Sequence, residues 1–195
     1  MTPIDNLSPA EQHRVLAADF ATLLDGVESG VGWDAPTPVR EWRVQEIPEH
    51  LVWFHDFVHA GSPFGWTRRR DPAINPIEAW AEQSAAVQLI LDDPAQAGSA
   101  FSHPRLPPTT LGEAVQRFYL SDVFMHSWDL ARATGQDLEF DPAYAERLLA
   151  GMRDVEDTIR SSGQYGSAHP VADDAPAVDR LMAFVGRDPH WTPAF

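Results

Sequence analysis

Asp122, His126 and Asp129 are spaced so that a helix would stack them on one side, within DVFMHSWDLARATG, residues 122–135. At about 100° per residue, Val115, Phe118, Tyr119, Met125 and Ala133 define the stripe that such a helix turns inward, and the three ionisable groups fall inside it. A carboxylate facing a core without a partner costs several kcal/mol or gives up its charge. A divalent cation would be such a partner: Asp122 and His126 stand one turn apart, close enough for a carboxylate oxygen and an imidazole nitrogen to reach the same ion. Asp129, on the adjoining turn, would orient His126 or bind the ion itself. The other account is a closed polar network, with Asp122 and His126 paired to each other or to arginines such as Arg132. Spacing leaves both open.

A further ligand must come from another helix. His50, His55 and His59 lie in a second amphipathic segment with Val44, Ile47, Leu51, Phe54 and Val58 as its apolar members, which leaves His50 and His55 on opposite borders of the stripe. Either is placed to look inward. The run His55-Asp56-Phe57-Val58-His59 has the two-histidine spacing of zincin proteases. The glutamate that serves those enzymes as general base is replaced by the shorter Asp56, however, and no downstream ligand pattern follows. His59 is assigned a surface or hydrogen-bonded position.

The elements that would hold these groups are helical almost throughout. Ser8-Pro9-Ala10-Glu11 is an N-cap, a first-turn proline and a capping-box glutamate, opening a helix with Val15, Leu16, Phe20, Leu23 and Leu24 inward that fades near Gly26. A second helix is expected over residues 43–59. A third begins at Asn75-Pro76, with Ile77, Trp80, Ser84, Val87 and Leu91 on one face, and stops at Asp93-Pro94. The capping box Thr110 to Glu113 opens a fourth that ends at Gly135. Asp141-Pro142 starts a fifth, with Leu148, Met152, Val155 and Ile159 inward, and a short last helix runs over residues 176–185. The long connections 61–74 and 94–109 imply crossover links rather than plain hairpins. No repeat or linker divides the chain, which reads as one domain over residues 1–195.

Composition narrows the chemistry. The chain has no cysteine, which excludes disulfides, cysteine-ligated zinc, iron–sulfur clusters and a protein thiolate nucleophile, so a soft metal must be held by histidine and carboxylate. Its net charge is −15 and its 14 cationic side chains are all arginine. That charge disfavours nucleic acid and anionic membranes as partners, and the absence of lysine excludes a Schiff base. No apolar stretch has membrane-spanning length and the N-terminus has no signal-like pattern, so a cytoplasmic location is expected. Seven tryptophans and ten phenylalanines exceed what one small core requires, which points to a partly apolar surface such as a homodimer face.

Three stretches carry a family resemblance. PTPVREWRVQEIPEHLVWF (residues 36–54), DVFMHSWDLARATG (122–135) and DDAPAVDRLMAFVGRDPHW (173–191) resemble the DinB/YfiT-like metal-binding bundles. The similar group is the one typified by the N-terminal domain of mycothiol-dependent maleylpyruvate isomerase. The second stretch, with its His-x-Trp-Asp-Leu-Ala-Arg core, is the most specific. The resemblance implies an all-α, DinB/YfiT-like four-helix bundle with additional short C-terminal helices. It also implies a metal held by one histidine of the second helix and an acid-x-x-x-His pair of the fourth, here His50, Asp122 and His126; Asp129 would support such a site by accepting a hydrogen bond from His126 or positioning a bound water. The isomerase type has glutamate where this chain has the shorter Asp122. It also has a further C-terminal domain for which no sequence remains here, so maleylpyruvate isomerisation itself is not expected.

Two histidines and one carboxylate leave open positions on zinc or nickel, as in catalytic rather than closed structural sites. In the family such an ion is thought to activate a low-molecular-weight thiol, which implies a metal-dependent enzyme that uses mycothiol or a similar thiol on a small electrophile, as a transferase or an isomerase. The alternative is a non-catalytic protein of the same fold that binds a metal or small ligand. In either case Trp128 and Arg132 are expected as a packed indole and a salt bridge.

Overall fold

The helices begin where a short polar side chain can take up amides that no helical carbonyl reaches. In the computed structural model, which describes residues 3–104 and 107–193 with the side chain of Ser162 excepted, Ser8 and Glu11 close a reciprocal capping box and α1 runs Pro9–Val27. The expected helix over 43–59 is two helices, α2 (Glu46–Leu51) and α3 (Phe54–Gly61). Val52 and Trp53 make tight turns between them, with the Trp53 amide donating to the His50 carbonyl at 2.9 Å. The break frees the Leu51 carbonyl, which accepts from the buried Gln83 amide at 2.6 Å, and the same amide donates to the Tyr119 hydroxyl at 3.1 Å. A core glutamine thus satisfies the backbone that the interruption exposes.

Gln83 belongs to α4 (Pro76–Asp92), which Asn75 caps through the Glu78 amide. After α5 (Pro94–Ala97), the strands β1 (Ala100–Phe101) and β2 (Thr109–Thr110) pair antiparallel and close the 94–109 connection. Thr110 and Glu113 then form the second capping box, at the head of α6 (Leu111–Ala114). The backbone continues without a break through a π-helical stretch, Val115–Leu120, into α7 (Ser121–Thr134), which ends at Gly135 with a left-handed φ of 69°. The π turns shift the phase of everything downstream. Phe118, expected inward, is therefore only partly buried, and α7 is buried nearly all round rather than on one stripe.

Asp141 caps α8 (Pro142–Arg153), followed by α9 (Glu156–Ser162) and α10 (Ala177–Phe184). Val155, expected on an inner face, is exposed because the helix breaks between α8 and α9. α1 packs on α4 and α7, α2 lies across α4 and α7, and α10 packs on α8. The core between them holds Phe20, Leu24, Ile47, Leu51, Phe54, Trp80, Tyr119, Phe124 and Leu130, each almost fully buried. Among the described residues the protein is all-α apart from the two-stranded ribbon, and no described helix is long and apolar enough to cross a membrane.

Candidate metal centre

Asp122 sits on the first turn of α7, with His126 and Asp129 on the next turns inward, and α2 crosses that face carrying His50 near its C-terminal end. One ligand atom each from His50, Asp122 and His126 lies within 4.8 Å of the other two. His50 Nε2 is 3.1 Å from Asp122 Oδ2, and His126 Nε2 is 3.5 Å from Oδ1. The turn after α2 aims the Trp53 indole at the same carboxylate, where Nε1 donates to Oδ2 at 2.9 Å and fixes its plane. Donors about 2.0–2.1 Å from one tetrahedral ion stand about 3.3 Å apart. The two contacts of Asp122 bracket that separation.

The far nitrogen of His126 decides its tautomer. Nδ1 lies 2.9 Å from Asp129 Oδ2. The two atoms are within hydrogen-bond distance but poorly aligned, and among the described residues no other acceptor reaches that buried nitrogen. A carboxylate has no proton to offer, so the ring proton belongs on Nδ1 and Nε2 is left with a lone pair. That lone pair faces a second acceptor, the Asp122 carboxylate. Two facing acceptors need a cation between them or a second proton on the ring, and the donor set therefore fits a divalent ion.

Burial alone would push both aspartates up. At Asp122 the hydrogen bond from His50 and the neighbouring imidazole charges outweigh burial and hold the carboxyl below its ordinary range. At Asp129 the Arg187 guanidinium does so, helped by His126. Arg187 donates to Asp129 through Nη2 at 3.0 Å and Nε at 3.3 Å. Exposure is graded across the site: the side chain of His50 is 35% exposed, that of His126 5% and that of Asp129 0%. The site therefore opens on the His50 side and is sealed behind Asp129.

Aromatic groups shape the open side. Trp42 lies nearly parallel to the His126 ring, with centroids 5.6 Å apart, and tilted against His50 at 5.1 Å. Glu41 before it takes a left-handed φ of 69°, strained for a side chain other than glycine, and this turn brings Trp42 onto the histidines. The Tyr165 phenol is pushed up to about 12, chiefly by burial, with the Asp122 charge adding to the effect and Arg187 opposing it.

A model of the family described as mycothiol maleylpyruvate isomerase N-terminal domain matches residues 13–131. The chain belongs to that family. Two proteins of Mycobacterium tuberculosis, from strains CDC 1551 and H37Rv and each named as an uncharacterized protein, are 32% identical to it over 189 residues, covering 93% of this chain and 98% of theirs. No solved structure matches. The segment shared with the isomerase N-terminal domain family contains His50, Asp122, His126 and Asp129, which the fold brings together.

His55 and His59 stay outside the cluster, both with Nε2 on the Trp66 carbonyl. Arg132 stacks on the Trp128 ring at 5.1 Å instead of pairing with Asp129. Trp42, Trp53, Tyr165 and Arg187 carry no functional signal in the sequence. An indole before the helix stripe or between two of its members, or an arginine 58 residues from its partner, gives no periodic signal.

Proposed function

We propose that the protein binds a divalent metal, zinc or nickel, through His50, Asp122 and His126, and that it is a metal-dependent enzyme using a small thiol of the mycothiol type. The thiol would be transferred to a small electrophile or would assist its isomerisation, in the cytoplasm. The observation that carries this reading is the facing of the His126 Nε2 lone pair and the Asp122 carboxylate at 3.5 Å, beside a second imidazole. The family name supports the thiol.

A divalent ion held by His50, Asp122 and His126 would stabilise thiolate at neutral pH, the nucleophile that a chain without cysteine cannot supply. The chain's own residues then have distinct tasks. Asp129 keeps the ring proton of His126 on Nδ1. Trp53 holds the Asp122 carboxylate in plane. The exposed edge of His50 marks the side from which thiol and electrophile approach, and Trp42 covers the His126 ring and excludes water from its face. Tyr165, kept protonated by burial, is a hydroxyl donor at neutral pH near Asp122.

Elemental analysis of the purified protein beside His126→Ala tests the ligand set: about one ion per chain in the first and none in the second is expected. Incubating the loaded protein with mycothiol and a panel of electrophiles tests the enzyme. Conjugate or isomer formed faster than without protein is expected; ion uptake without turnover would reject catalysis and leave a binding protein.

A further inference from the structure

Behind the ligands lies a buried ion pair whose charge the reading above does not use. Arg187 is 9% exposed and Asp129 fully buried, and their fork-like contact also leaves Arg187 Nη1 donating to the Val185 carbonyl at 3.2 Å. The placement is built by the end of α10. The Arg187 amide bonds the Met182 carbonyl and the Gly186 amide bonds the Ala183 carbonyl, a Schellman closure in which Gly186 takes a φ of 94°. This closure turns the arginine back towards α7. Arg187 lies beyond residues 13–131, the span matched by the family model.

Packing does not account for the charges. A buried ion pair is about as stabilising as an apolar pair of equal volume, so a leucine and a methionine would dock this segment as well. What the pair does change is the electrostatic balance of the centre. Asp122, Asp129 and Arg187 are joined through His126: Asp129 lies 2.9 Å from His126 Nδ1 and 3.0 Å from Arg187 Nη2, and His126 Nε2 lies 3.5 Å from Asp122. Two carboxylates and one guanidinium around a divalent ion with neutral imidazoles leave one unit of positive charge.

We infer that Arg187 sets this surplus, so that the buried centre selects a monoanionic ligand such as a thiolate over a neutral thiol or water. The inference rests on the ligand set proposed above. A thiolate that has released its proton to bulk water brings the centre to neutrality. Without Arg187 the centre would be neutral before any ligand arrived, and an anion would leave it negative in a low-dielectric interior, where charge imbalance is costly. Arg187 is therefore a positioning and specificity residue, acting through Asp129 and His126.

The test uses nickel-loaded protein at ion concentrations that saturate each variant, titrated with azide as a monoanion and imidazole as a neutral ligand, and followed by visible absorption. Asp129→Asn, one unit more positive, should tighten azide about tenfold, and Arg187→Gln should loosen it about tenfold. The double variant Asp129→Asn/Arg187→Gln restores the wild-type charge and should return azide close to wild type, as should Arg187→Lys. Imidazole should move by less than about threefold throughout, because a neutral ligand feels little of a unit charge. If Arg187→Gln fails to fold, the wild type, Asp129→Asn and the double variant still give the order. Azide and imidazole shifting in parallel, or azide not tightened by Asp129→Asn, would overturn the inference while leaving the ligand set intact. Absence of nickel uptake by the wild type would overturn both.

Discussion

Two histidine clusters begin five residues apart in the chain, at His50 and His55, and they behave differently. In one, His50 and His126 turn their Nε2 atoms onto the partly buried Asp122. In the other, His55 and His59 stand one turn apart with rings 4.4 Å from each other, and both Nε2 atoms meet the Trp66 carbonyl, at 2.7 and 2.9 Å. Asp56 is 2.8 Å from His55 Nδ1, but its side chain is largely in solvent. The second cluster has an acceptor in place for each ring and a solvated acid. The first has a lone pair and a carboxylate confronted away from water. Spacing makes histidines neighbours; the acceptors already present decide whether they remain available to a cation.

The largest expected effect separates the clusters outright. His126→Ala should abolish metal retention, whereas His55→Ala and His59→Ala should retain a full complement, as measured by metal content after gel filtration and by competition with a chelator. Loss of metal in a His55 variant equal to that in His126→Ala would merge the two clusters. A smaller effect is expected from the supporting acid: Asp129→Asn should weaken retention about 10–100-fold. Asp56→Asn should leave it unchanged.

The same carboxylates give a pH dependence whose sign follows from their depressed pKa values. Asp122 and Asp129 titrate lower in the folded protein than in the unfolded chain, where the ordinary value is 3.8. The unfolded state therefore binds more protons as pH falls. Their contribution to stability is complete above the unfolded value and is lost as pH drops from about 4 through the folded values. Metal-free Asp129→Asn should show a flatter acid limb in unfolding curves than the wild type. Asp56 is also held low, first by its bond to His55, but it is solvated, and Asp56→Asn should change that limb little.

Much of this centre is legible in the sequence because α7 presents its chemistry at helical spacing: Asp122, His126 and Asp129 share one face whatever surrounds them. His50 is not legible from periodicity, which places it and His55 equally on stripe borders; the resemblance of residues 36–54 selects it. The turn at Val52 and Trp53 that separates the two histidines has no propensity signal, since it depends on Gln83 of another helix capping Leu51. The π-helical widening at 115–120 is equally silent, and with it the near-complete burial of α7. Arg187 is hidden for a third reason. It reaches Asp129 only because Gly186 reverses the chain after α10, and a lone arginine in a C-terminal turn reads as solvent-exposed.

Two glycines give the finest comparison: Gly186, which turns the chain into Arg187 behind the first cluster, and Gly65, which lies against His59 of the second. A Cβ on Gly186 would come 2.6 Å from the Cα of Gly166, and the φ of 94° is strained for any other residue. Backbone meets backbone there, so Gly186→Ala should lose about 1–3 kcal/mol, displace Arg187 and alter azide binding to the nickel-loaded protein. A Cβ on Gly65 would instead overlap the His59 imidazole. That ring ends an exposed side chain and can swing away, giving up one solvent-accessible contact with the Trp66 carbonyl. The loss from such a bond is about 1 kcal/mol or less. Gly65→Ala should therefore shift the unfolding midpoint only slightly and leave chelator competition at the wild-type value. Weakened metal retention in Gly65→Ala would mean that the Trp66 loop transmits strain through α3 to His50, and the two clusters would then have to be treated as one.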